Sequence, residues 1–308
     1  MGRYLPLVLT MVLWGSTFAT SKISVDTVPP ALAAAVRFVG AAAILLVIVF
    51  VTGQGVRPDT LADASMIGLL GLLGVFGYNM LFLFALTMAP AGDGSMIVPV
   101  LSPVVTTLAT AVLGRDRLPV ARVAGLALAG VGAVVFFVGM PESGTAHRLL
   151  GDLLFVAAAV VWSGYTMCGR PVLRRFPPLP VTAYACAVGA VLLACAAIPL
   201  LGHVRMADLT GRFWLVEVYL MVFPTALAYP LFYRGVRGLG PARAAAMMFL
   251  VPVAGLLVAF VLLGETVTLV QAVGSAAMLG GAWLTVTERP VGGRGKPTDS
   301  GLQLSRSV

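Results

Sequence analysis

Ten runs of mostly apolar residues, joined by short polar connections, dominate this sequence. A helix needs about 20 mostly apolar residues to cross the hydrocarbon core of a bilayer, and each run has roughly this length. A strand of a membrane barrel would be about ten residues long with alternating polarity, so helices fit better. The runs lie at residues 4–22, 31–52, 65–88, 94–113, 119–140, 152–169, 181–202, 214–233, 244–263 and 267–287. We therefore predict an all-α integral membrane protein with ten transmembrane helices.

Composition argues against a soluble protein. Hydrophobic residues make up 59% of the 308 residues and charged residues only 10%, whereas a soluble protein carries about 25% charged residues. The net charge of +8 would suggest a nucleic-acid partner in a soluble protein. Here the basic residues form short clusters between the apolar runs, which is a signal of membrane topology. We therefore expect no nucleic-acid partner.

The basic residues also predict the orientation of the chain. With the N-terminus in the cytoplasm, fifteen Lys and Arg residues lie at the cytoplasmic ends of the runs and four at the outer ends. This is the bias that the positive-inside rule describes. We expect a multi-pass protein of the bacterial inner membrane with both termini in the cytoplasm. The tail at 290–308, rich in Gly, Ser and Arg, is predicted to be a disordered cytoplasmic segment.

The two halves of the chain resemble each other at an offset near 149 residues. Residues 14–18 (Trp-Gly-Ser-Thr-Phe) resemble residues 162–166 (Trp-Ser-Gly-Tyr-Thr). Further matches follow in the same order, Pro103 with Pro252, Gly125 with Gly274 and Gly132 with Gly281. This predicts two repeats of five spans, residues 1–145 and 146–289. Because five is odd, the second repeat inserts upside down, an architecture that recurs in secondary transporters.

Several short motifs carry a resemblance to a known family. They are Trp14–Ser16, Arg37-Phe38, Ser102-Pro103, Trp162, Val251-Pro252 and Leu263-Gly264-Glu265. In this order, over about residues 5–287, they make the sequence similar to the EamA-type branch of the drug/metabolite transporter superfamily. The first-half counterpart of Leu-Gly-Glu reads Leu-Gly-Arg-Asp at residues 113–116, which departs from the pattern.

The resemblance implies a ten-helix fold around a central cavity, lined mainly by spans 1, 3, 4, 6, 8 and 9. It also implies the export of amino acids or other metabolites, since members of the family carry such solutes. Its YddG-like branch handles aromatic amino acids. The resemblance does not determine the substrate of this chain.

Aromatic and amide side chains deep within the runs are the candidate substrate-binding groups. Trp14 and Trp162 lie too deep for the interfacial aromatic belt, so they either line a cavity or pack between helices. Asn79 lies in an apolar run and must face protein or water, where it either binds substrate or joins two helices. The full candidate set is Trp14, Thr17, Tyr78, Asn79, Ser95, Trp162, Tyr165, Tyr229 and Met248.

Prolines interrupt two of the predicted spans. Pro99, Pro103 and Pro252 each remove a helix hydrogen bond and free a carbonyl group. The freed groups either serve substrate binding and bending during transport or mark a static kink. Spans five and ten are instead rich in Gly and Ala, which suits close helix packing and predicts a scaffold or a dimer contact.

Charged residues within the spans are few. Arg37 is the one clear intramembrane charge, and it either binds a substrate carboxylate, snorkels to the outer surface or caps loop carbonyls. The acidic residues Asp93, Asp116, Asp152, Glu217 and Glu265 all lie at or near predicted span ends. This placement argues against the antiport mechanism of small multidrug transporters. We interpret Asp152 and Glu265 as charges that complement helix N-termini.

These observations favour a secondary transporter that moves a small neutral or zwitterionic metabolite by alternating access, in the export direction and with an amino acid as the leading candidate. The alternatives are a structural or receptor-like membrane protein, an intramembrane enzyme or, among transporters, a sugar or drug carrier. An enzyme is disfavoured because the spans lack a serine–base pair, an aspartyl pair and a zinc-ligand set. We expect no cofactor and no metal. The expected partners are the small-molecule substrate and the bilayer, with the chain a monomer or a homodimer.

Overall fold

The computed structural model describes residues 5–55, 60–114, 120–139, 145–204, 209–229, 231–232 and 250–287, and every regular element among them is helical. The α-helices are α1 (Leu5–Val25), α2 (Pro30–Val51), α3 (Leu61–Leu70), α4 (Tyr78–Met88), α5 (Ala91–Gly114), α6 (Val120–Val138), α7 (Thr145–Arg175), α8 (Pro178–Ala197), α9 (Gly211–Leu220), α10 (Leu250–Leu263) and α11 (Leu269–Thr287). A 3₁₀ segment, Ile198–His203, extends α8.

Four helical stretches are each long and apolar enough to cross a bilayer, Pro30–Val51, Leu61–Met88, Ala146–Arg175 and Pro178–Gly202. Large apolar side chains such as Phe50 and Leu215 lie on the outside of the bundle, 87% and 71% exposed. Such a surface requires lipid rather than water as its solvent. The all-helical membrane fold predicted from the sequence is thereby confirmed.

The boundaries of the sixth apolar run differ most from the prediction. The run was predicted at 152–169, whereas α7 extends from Thr145 to Arg175. The prediction cut the chain at charged residues, but α7 continues through Arg148 and Asp152 because both side chains are at least partly buried. The candidate Met248, the predicted start of the ninth run at 244 and the tail at 290–308 lie outside the described residues.

Two π-helical segments of seven residues each lie at equivalent places in the two halves of the chain. Gly71–Gly77 joins α3 to α4, and Met221–Leu227 follows α9. The two preceding helices are each ten residues long and each begins after a threonine N-cap. Thr60 accepts a hydrogen bond from the backbone N–H of Asp63 at 3.2 Å, and Thr210 accepts one from that of Phe213 at 3.4 Å. The likeness of the two halves therefore extends to the backbone.

The long helices pack across the two halves of the chain. α6 packs along α11, α2 along α8, α1 against α10 and α5 against α7. Contacts between side chains define the two ends of the bundle. The end that contains the turn at residues 26–29 also holds the end of α4 and the starts of α5 and α7, and we call it the Asp26 end. The opposite end, where Asp63 binds Arg175, is the Arg175 end.

Glycines bring α6 and α11 into backbone contact. A Cβ atom on Gly132 would lie 2.8 Å from the carbonyl oxygen of Gly274, and a Cβ atom on Gly274 would lie 2.8 Å from that of Gly132. A Cβ atom on Gly281 would lie 2.3 Å from the backbone nitrogen of Ala129 and 2.5 Å from the carbonyl oxygen of Gly125. The glycines matched between the two repeats therefore contact crosswise, Gly132 with Gly274 and Gly125 with Gly281. The close packing predicted for these two spans is present.

We expect Gly281→Ala to destabilise the protein, because the added methyl group would overlap backbone atoms that cannot move independently. Overpacking of this kind costs about 1–3 kcal/mol. The matched control is Gly280→Ala, whose Cβ would only reach Leu128 Cδ2 at 3.8 Å. The measurement is the midpoint of thermal unfolding in detergent, which should fall for Gly281→Ala alone. Equal midpoints for the two variants would contradict the packing described.

Candidate functional site

A central cavity lies between the two halves of the chain. The space open to the centre of a water molecule is about 80 Å³, enough for several water-sized groups. Its walls come from α1, α2, α4, α5, α7, α10 and the stretch that follows α9. The lining residues are Trp14, Thr17, Phe18, Arg37, Phe38, Tyr78, Asn79, Phe82, Val98, Pro99, Ser102, Trp162, Pro224, Tyr229 and Val251.

Trp14 forms one aromatic wall of this cavity. Its ring contacts Tyr229 edge to face, with centroids 5.6 Å apart, and Phe232 at 5.0 Å. Its indole N–H donates to the carbonyl oxygen of Pro224 at 3.1 Å. Since Pro224 lies inside the second π-helical segment, the tryptophan attaches α1 to the irregular part of the eighth span.

Trp162 forms the opposite aromatic wall. Its ring lies 4.9 Å from that of Tyr78 and 5.2 Å from that of Tyr165. Tyr78 follows the first π-helical segment directly and stacks on Phe82 at 5.7 Å. Each repeat-related tryptophan therefore contacts an aromatic ring that follows the π-helical segment of the other repeat.

Arg37 is buried at the cavity wall, with 7% of its surface exposed. Its Nε donates to Thr225 Oγ1 at 3.3 Å and its Nη1 to Ser21 Oγ at 3.4 Å, both long for hydrogen bonds. Among the described residues no carboxylate lies within ion-pair distance of it. Glu217 is the acidic group with the strongest electrostatic interaction with Arg37. A guanidinium has five N–H donors, so Arg37 keeps spare donors for an anionic group in the cavity.

Asn79 lines the cavity from α4 and is 3% exposed. Its amide nitrogen donates to the carbonyl oxygen of Val75 at 2.8 Å and, less closely, to that of Gly74 at 3.4 Å. Both acceptors belong to the first π-helical segment. The amide thus satisfies backbone carbonyl groups of its own span. This role differs from the two considered from the sequence, substrate binding and a contact between two helices.

The other candidates lie at varying distances from the cavity. Thr17 and Pro99 line it, whereas Tyr165 reaches it only through Trp162. Ser95 is fully buried and donates to the carbonyl oxygen of Gly92 at 2.8 Å, where it packs against α10 at Gly255. Pro103 and Pro252 are outside the lining, although their neighbours Ser102 and Val251 belong to it. Met248 lies outside the described residues.

Several lining residues are not among the candidates predicted from the sequence. These residues are Phe18, Phe38, Phe82, Val98, Ser102, Pro224 and Val251. Most are apolar side chains in apolar helices, where hydrophobic periodicity offers no contrast. Two kinds of signal were available. Phe38, Ser102 and Val251 belong to motifs of the family resemblance, and Pro224 is a proline within an apolar run, which indicates an interrupted helix.

A second cavity of about 380 Å³ opens at the Asp26 end between α5, α7, α10 and α11. Glu265 lies in its wall and accepts the backbone N–H groups of Ala91 and Gly92 at 2.9 and 2.8 Å. The carboxylate therefore caps a helix N-terminus, as its charge suggested. The helix is α5, however, rather than the helix that follows Glu265 in sequence.

The prediction about acidic residues needs a correction. Asp93, Asp152 and Glu217 are 4%, 0% and 1% exposed. Asp152 is the eighth residue of α7 and Glu217 the seventh of α9, so neither belongs to a first helical turn. Ser24 donates to Glu217 Oε1, while Glu217 Oε2 and both oxygens of Asp152 accept no hydrogen bond from an N–H or O–H group in the described part of the chain. Buried carboxyl groups are therefore present, and their presence removes one argument against ion coupling.

Long apolar helices around a buried cavity with polar groups are the architecture of a membrane transporter. Comparison with known proteins supports the same class of protein. The model of the EamA-like transporter family matches residues 3–138 and again residues 149–287. The chain belongs to this family, and it is a multi-pass membrane transporter.

Individual relatives cover most of the chain. The chain is 32% identical over 298 residues to the "Probable terminal-alkyne amino-acid exporter" of Streptantibioticus cattleyicolor, covering 96% of each protein. It is 31% identical over 231 residues to the "Aromatic amino acid exporter YddG" of Ancylobacter novellus, covering 71% of this chain and 75% of that one. A crystal structure with 27% identity superposes with a TM-score of 0.64, covering 92% of this chain and 96% of the other.

We expect Glu265→Gln to destabilise the protein. The amide has one oxygen where the carboxylate has two, so it would leave a backbone N–H of α5 without an acceptor, at about 1–3 kcal/mol. The control is Asp26→Asn, since Asp26 is more than half exposed in its pair with Lys22 and such pairs contribute little. Thermal unfolding in detergent should show a lower midpoint for Glu265→Gln only. An unchanged midpoint would contradict the capping role.

Proposed function

We propose that the protein exports a small zwitterionic metabolite, most simply an amino acid with an apolar side chain, across the bacterial inner membrane by alternating access. The observation that carries this proposal is the central cavity, in which a buried guanidinium lies among aromatic rings. A carboxylate suits Arg37. An apolar side chain suits the rings, and an ammonium group can bind over their faces.

Two relatives support the substrate class. Both the Streptantibioticus and the Ancylobacter protein carry names of amino-acid exporters, and one of those names specifies aromatic amino acids. The family model matches twice along the chain, which supports a five-plus-five inverted repeat. In such an architecture each half can adopt the conformation of the other, so that the cavity opens to either side in turn.

Irregular backbone supports the alternating movement. Pro99 of α5 and Pro224 of the second π-helical segment line the cavity, and the first π-helical segment directly precedes Tyr78 in its wall. Such segments are where a helix bends. In the proposed orientation both termini lie in the cytoplasm and the Asp26 end faces the outside. The proposed active form is a monomer or a homodimer.

The direct test is exchange in proteoliposomes loaded with unlabelled solute. We expect counterflow of phenylalanine or of an amino acid with a terminal alkyne, saturable with concentration, and none of glucose or of a permanently cationic dye. Flux of sugar or dye alone would favour the alternative transporter classes. Flux that does not saturate would indicate a channel, and the absence of any flux would favour a receptor-like or structural role.

We expect Arg37→Gln to reduce amino-acid exchange about tenfold or more, because a hydrogen bond to a charged group contributes about 1.5–3 kcal/mol and 1.4 kcal/mol is a factor of ten. Exchange of the corresponding amine, which lacks the carboxylate, should change little. Arg212→Gln, at the exposed start of α9, is the matched control. An equal loss for the amino acid and the amine would show that Arg37 acts on the fold instead.

Tryptophan fluorescence tests where the solute binds. Trp14 and Trp162 line the cavity, whereas Trp214 and Trp283 are 43% and 51% exposed on the outside of the bundle. A transported solute should therefore change the emission of the wild type. The Trp14→Phe/Trp162→Phe variant should lose that change and the Trp214→Phe/Trp283→Phe variant should keep it. The opposite pattern would place binding outside the central cavity.

A further inference from the structure

A cluster of charged side chains lies at the Asp26 end, apart from the central cavity. Asp93 on α5 and Arg148 on α7 form a bidentate ion pair, with Nε–Oδ2 at 2.7 Å and Nη2–Oδ1 at 2.8 Å. Their side chains are 6% and 17% exposed, and both line the second cavity. This pair joins the two helices beside a water-accessible space of about 380 Å³.

Asp152 lies one helical turn beyond Arg148 on α7. It is completely buried, and neither of its carboxyl oxygens accepts a hydrogen bond from an N–H or O–H group of the described residues. Asp93 and Arg148 are the charged groups that act on it. Two carboxyl groups therefore have one guanidinium group between them, and in the structure this group is paired with Asp93.

Among the described residues, the other elements packed around the cluster offer no second cation. Glu265 faces Asp93 from the turn between α10 and α11, but its two oxygens already bind the start of α5. Gln271 is the polar side chain that α11 contributes to the cavity wall. No group of three His, Cys, Asp or Glu side chains among the described residues is arranged to hold a metal ion. A second ionised carboxylate in this place would thus be an uncompensated buried charge, which is strongly unfavourable.

We propose that Asp152 is a proton-binding site of the protein, loaded and emptied through Asp93 and the cavity at the Asp26 end. In the structure described, the proton resides on the Asp152 carboxyl group, and Arg148 balances the charge of Asp93. For release, the Arg148–Asp93 pair separates, Asp93 takes the proton from Asp152 and passes it to water in the cavity. Arg148 then pairs with the Asp152 carboxylate. Only a proton moves. Its release leaves one net negative charge on Asp93, which lines the second cavity, and the water there solvates that charge until a proton binds again.

The same two helices form walls of the central cavity. Pro99 and Ser102 line it from α5 and Trp162 from α7. Next to Trp162, Ser163 Oγ donates to the carbonyl oxygen of Ser102 at 2.9 Å, which ties α5 to α7 at that depth. Separation of the Asp93–Arg148 pair would therefore affect the helix pair that encloses the solute. The use of the proton to drive transport rests on the proposed function, whereas proton binding does not.

Infrared difference spectroscopy of the purified protein, titrated between about pH 5 and pH 9, tests proton binding without any solute. The wild type should show a carbonyl-stretch band of protonated carboxyl groups at neutral pH. Asp152→Asn should lose the part of that band that Glu217→Gln, a variant of the other buried acid without a paired cation among the described residues, retains. Asp63→Asn is the control, because Asp63 is also buried, with 6% of its surface exposed, but is paired with Arg175 at 2.6 Å. It should keep the band. The same band in Asp152→Asn and the wild type would overturn the proposal.

Asp93→Asn provides a second variant should Asp152→Asn fail to fold. It leaves Arg148 with Asp152 as the remaining partner, so Asp152 should ionise and the same part of the band should vanish. Persistence of that part in Asp93→Asn would contradict the shared-guanidinium arrangement.

Proteoliposomes test the coupling. An imposed pH gradient should drive accumulation of phenylalanine or the alkyne amino acid in the wild type, and Asp152→Asn should lose this accumulation to a greater extent than it loses exchange at equal pH. Loss of the infrared band in Asp152→Asn without any flux in the wild type would overturn the proposed function and leave the proton site standing. Flux in the wild type together with an unchanged band in Asp152→Asn would overturn the proton site and leave the proposed function standing.

Discussion

The structure depends on one constraint, that a chain in hydrocarbon must satisfy its backbone hydrogen bonds within the protein. Regular helices satisfy these groups through their own hydrogen bonds. The central cavity lies beside helical segments in which that hydrogen bonding is interrupted. Pro224 lacks the N–H that would bind the carbonyl oxygen of Leu220, and Thr225 Oγ1 donates to that oxygen at 2.8 Å. Trp14 binds the carbonyl oxygen of Pro224, and Asn79 binds that of Val75. The polar and aromatic groups of the cavity are therefore also the groups that make its irregular backbone tolerable.

Because these groups serve both the cavity and the backbone, a variant of one of them affects transport and folding together. Removal of Asn79 or Trp14 alters the cavity surface and also leaves a carbonyl group without its donor. Loss of transport in such a variant does not by itself identify a binding residue. Arg37 is different, because its two hydrogen bonds are long and involve only hydroxyl groups. A comparison of solutes with and without a carboxylate separates its contact with solute from its contacts with the protein.

The sequence predicts the fold more completely than the site. Apolar length, the Pro-Pro starts of α2 and α8 and the Gly pattern of α6 and α11 all act locally, and the helices follow them closely. The π-helical segments cannot be predicted from such local signals. Gly71–Gly77 consists only of Gly, Leu, Val and Phe, a composition equally compatible with an α-helix. Tyr78 and Trp162 meet only after the two halves pack. The environment of Asp152 likewise depends on α5, which is distant in sequence.

The two ends of the bundle differ in how far their charged groups are buried and paired. At the Arg175 end, Asp63 is paired with an arginine whose side chain is 60% exposed, so water screens the pair and the pair chiefly positions α3 against α7. At the Asp26 end, Asp93, Asp152 and Glu217 are all buried, and the described cations near them are Arg148 and Arg37. Arg37 faces the cavity rather than Glu217. Acidic groups therefore exceed the cations paired with them at this end, and a buried excess of this kind is removed by binding a positive charge. The proton is the smallest such charge, and it needs no additional space within the packed helices.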